Sequence, residues 1–438
     1  MNSPSLNISV ADFVGQFQKA EKSFSTLHLE MKKDAINNFE QLGFPTTKNE
    51  EWKYTNVAAL LKNSFSVSEN NLRLTQEEIK QFLPLEEDMI VLVFENGKYN
   101  KELSKISNLP KGITIGNLSE YVNHEAVRRH LGKIALNINE SFVSLNTAFF
   151  NQGAFVFAEK NIICEKAIHL LFINDARNNP TVNYPRNLIV ASGGSMLNIS
   201  ESYYSINAIN SSFCNSVTEI FIDDNANVEY CKNESENNND FHIDYTSVFL
   251  RNDSKLNIQT ITSGGKMVRN NLKIELQQQN GSAYLNGLYV PSGESHVDNH
   301  SFVDHASPDC YSNELYKGVM DDKSQGVFNG KIFVRKDAQR TNAYQSNKNI
   351  LLSDDASMNA KPQLEIYADD VKCSHGATTG QLDGEAMFYL QSRGIGATAA
   401  RTLLTNAFAE EILDKITIPS IKVKLKEIIH LKLQKGND

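Results

Sequence analysis

Apolar and polar positions change rhythm twice along this 438-residue chain. Over residues 8–65 apolar side chains recur at helical spacing among charges, as in VADFVGQFQKAEKSFSTLHLEMKKDAINNFEQLGF, which predicts helix until Gly43 and Pro45 break the pattern. NEEWKYTNVAALL, carrying the only tryptophan, reads as a further helical segment. Residues 66–150 are mixed. MIVLVFENGKY (89–99) predicts a strand with a turn at Asn96-Gly97, and NLSEYVNHEAVRRHLGKIA a helix capped by Asn117 or Ser119.

From about residue 155 short apolar or alternating runs follow one another: AFVFA, IHLLFI, NLIVAS, VTEIFID, KLNIQTIT, AYLNGLYV. Asn, Asp, Gly and Ser separate them, and the pattern predicts strands and turns but no helix up to about residue 380. GSMLNI (194), NANVEY (225), DSKLNI (253) and GSAYLN (281) share a turn residue, a small residue and then alternation, with starts 31, 28 and 28 residues apart. DASMNA (355) resembles them. A strand-only repeat of this period predicts the coils of a β-helix. A two-sheet sandwich gives similar strand spacing but rarely takes so long a run of strands in one domain, which favours the β-helix.

Helix returns at the end. Asp383 is placed to cap GEAMFYLQSR, Gly394 and Gly396 interrupt, and ATAARTLLTNAFAEEILDKI sets Ala400, Leu403, Leu404, Ala407, Phe408 and Ile412 on one face. A last Lys-rich helix follows Pro419, most simply with a solvated charged face. The expected fold is therefore mainly β: a parallel β-helix over 151–380, an N-terminal helical and mixed domain over 1–150 and a C-terminal helical domain over 381–438. Exposed coil ends invite aggregation, so helical caps are expected at both ends.

Composition narrows the function. Hydrophobic residues make up 40% and charged residues 22%, a globular balance, and Lys+Arg 43 against Asp+Glu 52 gives −9, without the basic excess of a nucleic-acid binder. Five scattered cysteines show neither a CxxC pair nor zinc spacing. No signal peptide is read at the N-terminus and no run is long enough to span a membrane, so a cytoplasmic protein is expected. GxxxxGK[ST], GxSxG and HExxH are absent, and Gly264-Gly265-Lys266 is followed by Met267, so no P-loop ATPase is present in this chain.

Two clusters carry possible chemistry. In HVDNHSFVDHASPDC, His296, Asp298 and His300 fall on one side of a strand, with Asp304, His305 and Cys310 behind, a donor set for iron or zinc or a row of hydrogen-bonded coil residues. In EIYADDVKCSHGATTG, regular alternation places Glu365, Tyr367, Asp369, Cys373 and His375 on one face. Cys373 and His375 at i, i+2 suit one soft metal, or a packed cysteine beside a structural histidine. Carboxylates such as Asp369 and Asp370 would also suit a β-helix carbohydrate-active enzyme. The terminal helices collect aromatics with Arg393 and Arg401, residue types enriched at interface hot spots.

Three long strings also resemble one family. LEIYADDVKCSHGATTGQLDGEAMFYLQSRGIGATAARTLLTNAFAEEIL (364–413), the segment 298–353 and NEEWKYTNV (49–57) are similar, in the same order, to the SufB/SufD family of iron–sulfur cluster assembly proteins. SufB members carry a cysteine in the loop that here reads DDASMNAKPQLE, where Ala356 stands, and CSHGATTG is SufD-like. The resemblance implies a right-handed parallel β-helix between helical domains. It implies a non-catalytic scaffold that pairs with a SufB-like paralogue and docks a SufC-like ABC ATPase on the C-terminal helices, with homodimerisation possible for the isolated chain. A nascent iron–sulfur cluster would be held transiently at the partner interface, with no cofactor tightly bound by this chain alone. His375 matches the family's interface ligand and Cys373 lies beside it. Phe388, Tyr389, Arg393, Arg401, Leu404 and Phe408 are the expected ATPase-docking residues.

Overall fold

A computed structural model of the chain describes residues 9–21, 28–67, 73–84, 89–136 and 139–435. Strands from Ala154–Ala158 to Val371–Gly380 wind between two sheets and pair in parallel within each, and four earlier strands bring the sheets to eleven and ten strands. From Arg186–Ala191 onward, each strand pairs with the strand two later in sequence, and the registers run without slippage, as in Phe213↔Phe241↔Met267↔His296↔Gln325↔Ser357. This is the predicted solenoid.

One corner of each coil explains the repeat. Gly194, Asn225, Asp253, Asn280, Asp309 and Arg340 all have φ between 54° and 70°, where the chain turns from the eleven-stranded to the ten-stranded sheet. Gly, Asn and Asp tolerate this left-handed conformation best. The corners are stitched together: Gly194 N–H donates to Asp224 O (2.9 Å), Asn225 N–H to Asn252 O (2.9 Å), Asp309 N–H to Gln339 O (2.9 Å) and Arg340 N–H to Asp370 O (2.6 Å). The Asn280 amide donates to Asp253 Oδ1 at 3.0 Å. DASMNA belongs to the opposite corner, leading into the strand Ser357–Ile366, so it is not a further copy of this turn.

The solenoid begins before residue 151. Ile90–Glu95 pairs in parallel with Ile168–Asn174, and Ile113–Asn117 pairs antiparallel with Ala154–Ala158. The Asn96-Gly97 turn forms as expected, with φ of 49° and 75°. Asn117 belongs to that antiparallel strand, so it does not cap the predicted helix. The segment instead forms a single 3-10 turn and the short helix Glu125–His130, whose cap is His124 Nδ1 accepting from Ala126 N–H (3.2 Å). The helical expectation over 8–65 is met by Val10–Ala20, Leu29–Leu42 and Ala58–Leu61, while residues 8 and 22–27 lie outside the described residues.

The helices cover the sides of the solenoid. Phe13, Phe17, Phe39, Trp52 and Phe142 pack against Phe213, Phe241 and Met267 on the outer face of the eleven-stranded sheet. Ile412, Leu413, Ile421, Leu425, Ile429 and Leu433 pack against Leu171, Tyr204, Ile261, Leu288 and Val319 on the outer face of the other sheet. This corrects the expectation of helical caps at both ends. The C-terminal helices Ala397–Leu413 and Pro419–Lys435 turn back along the coils and leave the last coil uncovered.

Candidate functional site

The last coil ends both sheets. Ser357–Ile366 is the terminal strand of one and Val371–Gly380 of the other, and the latter is exposed along most of its length. A terminal strand presents backbone donors and acceptors to a further strand. Val371 and Cys373 turn inward onto Val334, Ala338 and Ala343, so the side chain of His375, two residues on, falls on the same face at the mouth of the interior. Burial pushes the Cys373 thiol up, partly offset by the Ala343 backbone.

Behind His375 lies a polar column. His375 is in register with Gln345, and Gln345 with Glu314. Gln345 is buried and its amide donates to Glu314 Oε2 at 2.7 Å. Burial pushes the Glu314 carboxyl up to about 7, against hydrogen bonds from Ser301 and Gln345. The expected single face of Glu365, Tyr367, Asp369, Cys373 and His375 does not form. A corner at 367–370 separates the two strands and resets the alternation. Glu365 points outward to Lys331 (2.6 Å), and the Tyr367 ring lies against Phe333. Asp369 and Asp370 are exposed in the corner, where the Asp370 N–H donates to Gln339 Oε1 (2.9 Å).

His296, Asp298 and His300 do share one side of their strand, and they form a clamp. Asp298 pairs with Arg269 (2.6 Å) and His300 (3.0 Å), Thr55 Oγ1 meets His296 Nε2 at 2.8 Å, and Glu51 meets His300 Nδ1 at 3.3 Å. The Arg269 guanidinium lies 3.8 Å from the centre of the Trp52 ring. Burial works against the Asp298 charge, but His300 and Arg269 outweigh it and hold the carboxyl well below its usual range. These donors are spent on fastening the 51–55 segment to the solenoid. Asp304 turns to Arg335 (2.6 Å), His305 to Ser312 (2.8 Å), and Cys310 to Gln278 O (3.2 Å), so the six residues do not converge.

The six docking candidates divide. Asp383 caps the helix Gly384–Ser392 as predicted, accepting from Glu385 and Ala386 N–H, and that helix buries none of its residues. Phe388 is 72% exposed and Tyr389 58%, with Arg393 over the Tyr389 ring at 5.3 Å. Arg401 and Phe408 engage their own chain instead. Arg401 donates to Leu352 O at 2.5 Å, and Lys317 lies 3.9 Å over the Phe408 ring. Leu404 is half-buried, and Leu403 and Ala407, expected inside, are exposed. The buried face is Ala400, Thr405, Ala409, Ile412 and Leu413, set by contact with the sheet beneath.

Local sequence windows miss the polar interior. Lys232 sits between Asp244 (2.5 Å) and Glu201 (3.8 Å), and Arg186 pairs with Glu219 at 2.6 Å, all within 2% of full burial. Glu219 also accepts three backbone N–H bonds from Gly132, Ile134 and Ala135, at 2.9, 3.0 and 3.0 Å. Burial works against the Lys232 charge, but Asp244 and Glu201 outweigh it and hold its pKa up.

A two-sheet parallel solenoid with helices on both sides and an open terminal coil defines the architectural class. Within that class the chain belongs to the SufBD family of the SUF iron–sulfur cluster assembly system: residues 172–408 match the SufBD core domain and 12–170 the SufBD N-terminal region. It is 34% identical over 407 residues to an iron–sulfur cluster assembly SufBD family protein of Synechocystis, covering 91% of this chain and 89% of that one. It is 29% identical to the iron–sulfur cluster assembly protein SufD of Escherichia coli, covering 90% of each. It is 25% identical to SufD of Bacillus subtilis, covering 95% of this chain and 98% of that one. Its role is in iron–sulfur cluster assembly. Among the described residues no helix is long and apolar enough to cross a membrane.

Proposed function

We propose that this chain is a non-catalytic, cytoplasmic scaffold subunit that pairs through its open last coil with a SufB-like paralogue. The terminal strands Ser357–Ile366 and Val371–Gly380, which end both sheets with no buried position in either, carry the reading. Strand-to-strand pairing satisfies their edges and closes the mouth of the interior. The pairing brings His375 to the junction, where its imidazole serves as a ligand to the cluster under assembly, with Cys373 as packed neighbour. The cluster is the cargo and leaves with its acceptor. Phe388, Tyr389 and Arg393 offer the exposed aromatic and guanidinium surface on which a SufC-like ABC ATPase docks. Without the paralogue, two copies of this chain pair through the same edge.

Co-expression with the two partners, followed by mass measurement of the complex and iron and sulfide analysis, tests this. The expected result is a complex of three kinds of subunit in which His375→Ala lowers iron and sulfide without disturbing assembly. An unchanged iron content in a stable His375→Ala complex removes His375 from the site. Failure of the three proteins to co-purify removes the scaffold reading.

A further inference from the structure

The middle of the solenoid encloses a second donor set, unrelated to the open end. Cys214 and His242 are register neighbours on adjacent strands, and Glu236 lies at the corner leading into the second of these. One ligand atom from each, Sγ, a carboxylate oxygen and an imidazole nitrogen, lies within 4.8 Å of the others, the one such group among the described residues. All three side chains are buried, at 0%, 3% and 0% exposure.

Glu236 and His242 are each aimed by a partner of their own. Asn174 donates to Glu236 Oε1 at 2.9 Å and is itself held by Asn183 (2.7 Å), which leaves Oε2 facing His242 Nδ1 at 2.8 Å. His242 Nε2 meets Ser216 Oγ at 2.9 Å, and that hydroxyl donates to Asp244 Oδ1 at 2.6 Å. The Tyr203 ring stands edge-on to the imidazole, with centres 4.5 Å apart. Metal-bound histidines are oriented in this way, with the second ring nitrogen tied to a polar chain ending in a carboxylate. A second observation points the same way. Among the described residues, Glu234 Oε1, in the same fully buried interior, meets no hydrogen-bond donor. Four acidic side chains, Glu201, Glu234, Glu236 and Asp244, share this buried interior with Lys232 and His242.

We propose that Cys214, Glu236 and His242 form an internal site for one divalent ion of borderline softness, zinc or ferrous iron, bound while the coil closes. Thiolate, imidazole and carboxylate together suit such an ion, and three protein ligands leave one tetrahedral position for water. The ion replaces the proton between Nδ1 and Oε2 and the proton of the thiol. Two protons leave for one doubly charged ion, so the enclosed charge is unchanged. By the usual ladder spacing of about 4.8 Å, the strand of His242 lies about 19 Å from the last strand of its sheet. This ion is thus structural and separate from cargo at His375.

The test uses the full chain, purified from cultures supplemented with zinc or with iron and dialysed against chelator before elemental analysis. The same protein is then unfolded, stripped and refolded with cobalt(II) alone. The expected result is one metal ion per chain and a thiolate-to-cobalt charge-transfer band in the near ultraviolet. Cys214→Ser and His242→Asn should lose the band, whereas Cys231→Ala, a buried cysteine outside the set, should keep it. Should the variants not refold, zinc added during refolding of the parent chain should displace cobalt and erase the band. A refolded parent chain that takes up no cobalt, or a band that survives Cys214→Ser, overturns the proposal.

Discussion

The strands Phe241–Leu250 and Val371–Gly380 follow the same coil geometry and meet opposite surroundings. The first has eight buried positions and two half-buried ones, although it carries His242 and Asp244 on its inner face. The second has none buried and eight exposed, although Val371, Ala377 and Gly380 are apolar or small. Polarity alone therefore does not tell core from surface here. In the middle coils the inward cations Arg186 and Lys232 are paired within the chain, and helices pack on both outer faces. The last coil lacks that cover. Burial of charge without pairing is costly, so the buried middle depends on its ion pairs while the exposed end does not.

The comparison is broken most severely by removing one partner in the middle. Glu219→Ala strands the Arg186 guanidinium at 1% exposure and orphans three backbone donors. It should cost about 4 kcal/mol in urea unfolding. Next comes Glu314, whose carboxyl lies at about 7 when folded against an ordinary 4.5. The folded chain then binds this proton more tightly than the unfolded one. Its contribution to stability is complete below pH 4.5 and is lost as the pH rises through 7, a difference of about 3 kcal/mol. Glu314→Gln should flatten the unfolding free energy across that window. A slope unchanged in the variant would mean that Glu314 is not the titrating group.

Two smaller effects sharpen the contrast. Phe408→Ala removes a half-buried ring beneath Lys317 and should lower stability by about 2 kcal/mol. Phe388→Ala, on the uncovered helix, should leave the melting temperature unchanged while weakening ATPase capture by about 1–2 kcal/mol. Equal loss of stability in both would erase the distinction between anchor and docking residues. The smallest stability effect belongs to His375→Ala, within about 0.5 kcal/mol for an exposed position. Its signature is lower iron in the purified complex.

The sequence made the solenoid legible because left-handed corners demand Gly, Asn or Asp, and these recur at Gly194, Asn225, Asp253 and Asn280. The same corner at Arg340 escapes because arginine is not a turn residue and its carboxylate partner Asp309 lies one coil back, at 2.5 Å. Alternation correctly places His296, Asp298 and His300 together but cannot show that Arg269, 29 residues earlier, already occupies the acid. Nor can it see the corner at 367–370 that parts Glu365 from Cys373. Cys214 and His242 are 28 residues apart, one coil period, so the repeat spacing itself held a signal for that pair.

The corner ladder also fixes what one chemical change at its surface would do. Asn280 is followed by Gly281, the pairing in which a backbone nitrogen most readily attacks the side-chain amide and releases ammonia. At present the Asn280 amide donates to Asp253 in the coil before it. Deamidation would put a carboxylate opposite a carboxylate and turn one stitch between coils into a repulsion. Because coils are held chiefly by their neighbours, such damage would loosen the stack locally. That change would fall on an outer corner of a middle coil, well away from the open coil.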